Sequence, residues 1–188
     1  MIQEIGSIIE GCKRGEIKSQ TSLFHAYKKK WMGVCVRYVK DDQEAQDVFQ
    51  DAAISLFREI KTLKEADAFE GWARKIFVNH SLNFLRKKKR YVVMLQDYSG
   101  HHEDDFIDDV QVARELDAEE LLKVIGRLPD GYRLVLNLAL VDGYKHGEIA
   151  KMLSISTSTS RSQLNKARKY LQRLLETQRT AENARIAG

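Results

Sequence analysis

The chain has 188 residues, of which 43% are hydrophobic, and a formal net charge of +4. This apolar content is ordinary for a folded protein, and the length allows either one core or two small ones. A single proline and abundant Leu, Ala, Lys, Glu and Gln favour helices over the composition of an all-β fold. No stretch approaches the ~20 apolar residues of a membrane span, and the N-terminus lacks the pattern of a signal peptide. We therefore expect an all-α, cytoplasmic protein with no membrane insertion.

Three helical stripes of apolar residues follow one another between residues 20 and 90. The first runs over 23–38, the second over 45–60 and the third from residue 69 to about residue 90. Together they predict a compact three-helix bundle. The candidate caps are Thr21 or Ser22 for the first helix and Asp41 and Asp42 for the second.

Helical periodicity is lost over about 91–119, where most of an acidic run lies. Between Asp97 and Glu120 ten acidic residues accompany one basic residue, Arg114. This composition is typical of a flexible linker, so the sequence predicts two helical domains, 1–90 and 120–175, with a frayed polar tail over 176–188.

No pattern in the chain indicates catalysis or a cofactor. His101–Asp105 is the one cluster that suggests a metal, but it lacks the i, i+4 spacing of a site preformed on a helix. A solvated acidic linker explains it more simply. Cys12 and Cys35 form neither a CxxC pair nor a metal-ligand spacing, and Cys35 falls in an apolar stripe. We therefore predict no enzyme and no metal site, and we expect Cys35 to be a reduced core residue.

The C-terminal part of the chain, about 143–175, predicts a basic helix-turn-helix. A short helix carries Ile149, Ala150 and Leu153 inward and is followed by a tight turn and a longer helix. Over 144–174 seven basic residues accompany one acid, which favours binding to a polyanion. The first turns of a recognition helix enter the major groove, so a DNA-reading role is indicated over that of a basic solvated hairpin.

A polar and basic stripe also follows the third helix of the first domain. Lys75, Asn79, Asn83 and Arg86 recur every three or four residues opposite the apolar face, with aromatic residues one turn earlier. Such a pattern suits unpaired bases stacked beside a basic groove, although by itself it equally fits the wet side of an ordinary helix.

The order of these features resembles the sigma-70 family of RNA polymerase initiation factors, in its extracytoplasmic-function (ECF) type. DDQEAQDVFQDAAISLF is similar to the family's region 2.2, and FEGWARKIFVNHSLNFLRKKKR is similar to regions 2.3 and 2.4. IGRLPDGYRLVLNLALVDGYKHGEIAKMLSIS, followed by RSQLNKARKYL, resembles region 4. The joint occurrence of both patterns in this order is specific.

The resemblance implies a function, partners and site residues. The chain would bind the clamp and flap of core RNA polymerase and direct initiation at promoters, and an anti-sigma factor is an expected partner. Three sets of residues match functional positions of the family. Core polymerase would be contacted by Asp47, Gln50 and Asp51. Unpaired bases of the −10 element would be read by Phe69, Trp72, Lys75, Asn79, Asn83 and Arg86. Duplex −35 DNA would be contacted by Ser158, Thr159, Arg161, Ser162, Gln163, Asn165, Lys166 and Arg168.

Four positions depart from the family's common pattern. Ser154 replaces the usual Gly of the turn, Lys145 replaces a common capping Ser, Ser160 stands where an apolar residue is frequent, and Gln163 replaces a frequent Arg. The alternative function is a stand-alone helix-turn-helix regulator. Such proteins usually need a dimer interface and a palindromic site, whereas here the first domain carries its own basic, Asn-rich face.

Overall fold

The computed structural model describes residues 2–88 and 118–186, and no β-strand occurs in these ranges. The chain divides into two compact units, Met1–Lys88 and Lys89–Gly188. The predicted all-α class with two helical domains is confirmed. Of the predicted linker, only residues 118 and 119 are described, and they begin a helix; the rest, including His101–Asp105, lies outside the described residues.

Four helices and two short 3₁₀ turns form the N-terminal unit. Helices α2, α3 and α4 pack on one another, and α1 packs on α2 and on both 3₁₀ turns. The bounds are α1 Ile2–Lys13, α2 Ile17–Val39, α3 Asp42–Glu59 and α4 Phe69–Lys87, with the 3₁₀ turns at Ile60–Thr62 and Ala66–Ala68.

Helix α1 is absent from the sequence-based prediction, and α2 begins four residues before Thr21. Ile9 and Cys12 of α1 are buried, so this helix adds a fourth member to the expected bundle. Gly15 separates the two helices: its φ of +83° allows the chain to turn, and the backbone N–H of Glu16 donates to the carbonyl of Gly11. Because Gly15 ends α1 so sharply, α2 starts at once, and Thr21 lies inside it.

The turn between α2 and α3 is unusually tight. Lys40 has φ 68° and ψ −47°, and the backbone N–H of Asp41 donates to the carbonyl of Val39 at 2.9 Å, which is the geometry of a γ-turn. The Asp41 side chain then accepts from the Glu44 backbone N–H at 2.9 Å, as predicted for a cap.

The core of the N-terminal unit is built around aromatic rings and contains both thiols. The ring of Phe77 stacks on Trp31 at 5.2 Å and on Phe49 at 5.9 Å. Cys35 and Cys12 are free and 0% and 1% exposed, which confirms Cys35 as a reduced core residue. Burial raises the pKa of the Cys35 thiol to about 12 and that of Cys12 to about 11.

Over residues 118–186 of the C-terminal unit, three short helices pack on one long helix. The bounds are α5 Ala118–Gly126, α6 Asp130–Leu136, a π-helical turn Asn137–Val141, α7 His146–Leu153 and α8 Thr157–Ile186. Pro129 precedes α6 as predicted, and Gly143, at φ +75°, follows the π turn. Helices α5, α6 and α7 each contact α8.

The stretch predicted as a frayed polar tail, 176–188, is helical as far as Ile186, where α8 ends. Leu171 and Leu175 prolong its buried stripe, and Gln172 donates to Glu176 at 3.0 Å one turn later. Neither Gly nor Pro interrupts the stretch. Among the helices described, none has the length and apolar character needed to cross a membrane.

Candidate nucleic-acid interface

The predicted helix-turn-helix is formed by α7, the turn 154–156 and α8. Ile149, Ala150 and Leu153 of α7 are buried, as expected, against α8. Ser154 adopts the left-handed conformation, with φ 51° and ψ 41°, so the backbone keeps the conformation that a glycine would adopt without strain. The sharp reversal that presents α8 is therefore preserved at the first departure from the family pattern.

Both helices of this motif are capped at their N-termini. Lys145 cannot accept a hydrogen bond with its side chain, but its backbone N–H donates to the Glu148 carboxylate at 2.9 Å, which is one half of a capping box. At the start of α8, the Ser156 hydroxyl accepts from the backbone N–H of Thr159 at 2.9 Å. The second departure, at Lys145, is thus partly compensated by Glu148.

Of the predicted −35 residues, which all lie on α8, all but Gln163 are at least partly exposed to solvent. Ser158, Thr159 and Arg161 are exposed, and the half-buried members are Ser162, Asn165, Lys166 and Arg168. The structure does not fit the assignment of Gln163 to the DNA-contacting set. Gln163 is 4% exposed, and its Oε1 is buried without a hydrogen-bond partner. It lies on the buried face beside Leu164, so it is not available to DNA.

Ser160 also lies on the buried face of α8, as its usual apolar counterpart would, and is 0% exposed. Its hydroxyl is 2.9 Å from Nδ1 of His146, the first residue of α7. This contact joins the two helices of the motif. Burial of the imidazole lowers the pKa of His146, and the positive charges of Arg161 and Arg168 lower it further.

The polar stripe predicted on α4 is exposed along its whole length. Lys75, Asn79, Asn83 and Arg86 all face solvent, and the Arg86 guanidinium donates to Oδ1 of Asn83 at 3.1 Å. The Asn83 amide is thereby oriented with its oxygen toward Arg86. At the end of the helix Lys88 contacts Glu44 of α3 and lies 5.0 Å from the centroid of the Phe84 ring.

Phe69 and Trp72 do not share the exposure of that stripe. Phe69 is 1% exposed and packs edge-on against Tyr27 at 5.3 Å and against Trp31 at 6.4 Å between ring centroids. It anchors the start of α4 in the core, which corrects its assignment to the base-contacting set. Trp72 is half-buried, 6.3 Å from the Phe69 ring, so part of its surface remains accessible.

Glu70 holds the first turn of α4 against α2, a role that sequence reasoning missed. Its carboxylate accepts from the Tyr27 hydroxyl at 3.3 Å and from the Lys30 ammonium. The Lys30 hydrogen bond lowers the pKa of Glu70. Trp72 and Lys75 follow within two turns, so this contact sets where they stand. A carboxylate in a first helical turn is a general capping signal and does not reveal such a distant partner.

The predicted polymerase-binding residues Asp47, Gln50 and Asp51 are all exposed on one face of α3. Ile54 lies one turn further on and is 65% exposed. Ile54 therefore adds an apolar side chain to a face that is otherwise polar. The sequence analysis assigned no role to it. We call Asp47, Gln50, Asp51 and Ile54 the α3 face.

Within residues 2–88 and 118–186, no group of three or more His, Cys, Asp or Glu side chains is placed to hold a metal ion. Separately, the two sets of exposed basic and amide side chains, on α4 and on α8, are candidate binding features of the two units.

Two family profiles match the chain and together cover well over half of it. Sigma-70 region 2 matches residues 23–91, and Sigma-70 region 4 matches residues 118–171. The first profile contains α3, α4 and all of α2 after its first six residues, and the second ends within α8. The exposed sets on α4 and α8 thus fall in separate matched regions.

Curated relatives resemble the chain over nearly its full length. RNA polymerase sigma-H factor of Pseudomonas aeruginosa is 28% identical over 178 residues, which cover 90% of this chain and 92% of the relative. ECF RNA polymerase sigma factor SigW of Bacillus subtilis is 27% identical and covers 89% of this chain and 94% of its own. The ECF sigma-E factor of Escherichia coli K12 is 25% identical, with 87% and 90% covered.

Two solved structures share the fold. CnrH in complex with the cytosolic domain of CnrY has a TM-score of 0.50 and 18% identity, covering 90% of this chain and 96% of CnrH. The sigma factor RpoE in complex with the anti-sigma factor NepR from Bartonella quintana has a TM-score of 0.51 and 20% identity, covering 85% and 98%. With both matched regions in order and relatives of equal length, the chain belongs to the sigma-70 family of RNA polymerase sigma factors, in its ECF type, and is not an enzyme.

Proposed function

We propose that this sigma factor binds core RNA polymerase and directs initiation at promoters by reading the −10 element as unpaired bases and the −35 element as duplex DNA. The observation that carries the proposal is the presence of two separate exposed sets of basic and amide side chains, one in each folded unit. A protein that binds only duplex DNA needs only the set on α8. Binding of unpaired bases as well would account for the additional set on α4.

The −10 half of the proposal rests on Trp72, Lys75, Asn79, Asn83 and Arg86. Amide side chains hydrogen-bond base edges, and a half-buried indole offers one ring surface for stacking. Extracting a base from a duplex costs a few kcal/mol, which contacts to the flipped base must offset. Phe69 takes part indirectly, because its burial fixes the helix turn from which Trp72 projects.

The −35 half rests on the first turns of α8. Exposed Ser158, Thr159 and Arg161 lead the helix, as the base-reading residues of a recognition helix do. Arginine reads guanine with two hydrogen bonds or holds a phosphate, and hydroxyl groups serve either role. The remaining members of this surface are Ser162, Asn165, Lys166 and Arg168.

Core polymerase is proposed to dock on the α3 face, with further contacts between its flap and the C-terminal unit. The names of the curated relatives pair them with RNA polymerase. Both similar solved structures are complexes: CnrH is bound to the cytosolic domain of CnrY, and the sigma factor RpoE is bound to the anti-sigma factor NepR. We propose that an anti-sigma factor is a partner of this chain as well.

Run-off transcription with purified core polymerase tests the proposal against a stand-alone regulator. Addition of the chain to core enzyme and genomic DNA should produce discrete transcripts, whose sequenced start sites define the promoters. Core enzyme without the chain is the control. Tight binding of the free chain to a palindromic site, together with failure to support initiation, would show that the chain is a regulator instead.

The −10 assignment is tested with Asn79→Ala, and Ser22→Ala on exposed α2 surface is the matched control. We expect Asn79→Ala to slow promoter opening while leaving closed-complex affinity nearly unchanged, because Asn79 acts on unpaired bases. Opening is followed by permanganate reactivity of unpaired thymines, and closed-complex binding is measured at low temperature. Equal losses in both assays would remove Asn79 from the base-reading set.

A further inference from the structure

His146 lies at the junction between the two helices of the DNA-reading motif. Nδ1 lies 2.9 Å from the hydroxyl of Ser160, which is 0% exposed. The ring is therefore held in place from the buried side of α8. Because His146 is only half-buried, the rest of its surface reaches solvent.

Positive charge surrounds this imidazole. The cations on α8 that lower the pKa of His146 are Arg161 and Arg168, and both belong to the proposed −35 surface. The charged residues on the neighbouring stretches of chain are Lys145 and Glu148, which flank His146, and Asp142, which follows the π turn that packs on α7. Glu148 is engaged by the backbone N–H of Lys145.

We propose that His146 is a proton-coupled member of the −35 surface, whose imidazole takes up a proton more readily when duplex DNA is bound than in the free protein. This inference rests on the proposed function, since it requires DNA phosphates beside α8. Phosphates neutralise Arg161 and Arg168 on binding and so remove the repulsion that opposes a third positive charge. The contact with Ser160 is possible in both states, because Nδ1 can accept from the hydroxyl when the neutral ring carries its proton on Nε2, and it donates to the hydroxyl when the ring is protonated.

The sign of the pH dependence follows from linkage. The pKa of His146 in the free protein is lowered by burial and then by Arg161 and Arg168. DNA phosphates leave the effect of burial in place but cancel the repulsion from the two arginines, and on the proposal this raises the pKa. Because the bound state then holds more protons than the free state, affinity increases as pH falls through the pKa of the bound state. The gain stops below the pKa of the free state. One proton limits the change to about tenfold in Kd per pH unit.

The experiment measures Kd of the reconstituted holoenzyme for a labelled duplex that carries only the upstream half of a promoter mapped by transcript sequencing. Measurements run from pH 8.0 to pH 5.5 with wild type, His146→Gln and His80→Gln. The His146→Gln side chain retains a polar contact for Ser160 but cannot titrate, and His80 belongs to the other folded unit. We expect Kd to fall several-fold more between about pH 7.5 and pH 6.0 for wild type and His80→Gln than for His146→Gln.

A second measurement reports the proton directly. The ring resonances of His146 in the full-length chain are titrated by NMR with and without the same duplex, and their midpoint should move to higher pH when DNA is present. Parallel pH profiles for wild type and His146→Gln, or an unchanged midpoint, would overturn the inference. Both outcomes leave the proposed function intact as long as the duplex binds, whereas absence of any binding would count against the −35 assignment itself.

Discussion

Ser154 is a residue whose backbone conformation conflicts with its side chain. An L-residue in the left-handed region is disfavoured by about 1–2 kcal/mol, and glycine removes that penalty at some cost in unfolded-chain entropy. We expect Ser154→Gly to raise the free energy of unfolding of the C-terminal unit by about 0.5–1 kcal/mol. Ser154→Ala, which keeps the strain, should change stability much less. The free energies of unfolding of both variants are measured by denaturant unfolding followed by circular dichroism. A Ser154→Gly variant less stable than wild type would show that Ser154 is not strained in the native backbone.

At the same scale, the exposed site residues were predictable and the buried exceptions were not. Lys75, Asn79 and Asn83 repeat at helical spacing, so their shared face follows from periodicity alone. Gln163 is polar yet lies in the buried stripe of α8, against the usual pattern of polar residues outside. Phe69 is ambiguous in a sequence, because an aromatic residue at a helix start serves equally as core or as a stacking surface. Only its contacts with the α2 aromatic rings decide it.

At the scale of the helix, the α3 face contains one apolar residue whose exposure to solvent is unfavourable. Ile54 is 65% exposed among acidic and amide neighbours, and a protein interface that covered it would gain from its burial. We expect Ile54→Ala to weaken binding to core polymerase by about 1–2 kcal/mol, roughly five- to thirtyfold in Kd, without lowering thermal stability.

The control for this prediction is Ile17→Ala. Ile17 is the first residue of α2 and is 78% exposed, so it tests whether any exposed isoleucine has the same effect. Binding is measured by competition with a labelled sigma factor for core enzyme. Equal affinity of the Ile54 and Ile17 variants would exclude Ile54 from the docking surface.

Helix boundaries were predicted well where capping chemistry is explicit and poorly elsewhere. Asp41 and Pro129 mark the starts of α3 and α6 because a carboxylate cap and a fixed φ act locally. Helix α1 escaped prediction because Gly6 and Gly11, which are poor helix formers, interrupt its isoleucine-rich stripe. The end of α8 escaped because a mostly polar sequence indicates neither helix nor coil, and its helix is prolonged by packing at Leu175.

At the scale of the molecule, each unit has its own core, which predicts independent folding. Fragments 1–88 and 89–188 should each be helical and unfold cooperatively, because each keeps the helices that pack together. Thermal unfolding monitored by circular dichroism checks this. A shorter fragment, 1–68, loses α4 with Phe69 and Phe77 and should show no cooperative transition. A non-cooperative 1–88 fragment would contradict the prediction.

The depth at which both sulfur atoms lie has a consequence for oxidative chemistry. Thiolates, not thiols, react with peroxides and disulfides. With pKa values raised to about 12 for Cys35 and about 11 for Cys12, only a minute fraction of either group is ionised near neutral pH. An oxidant therefore reaches these sulfurs only after the helices around them separate. Oxidation of Cys12 or Cys35 would therefore follow local unfolding of the helices and would not cause it.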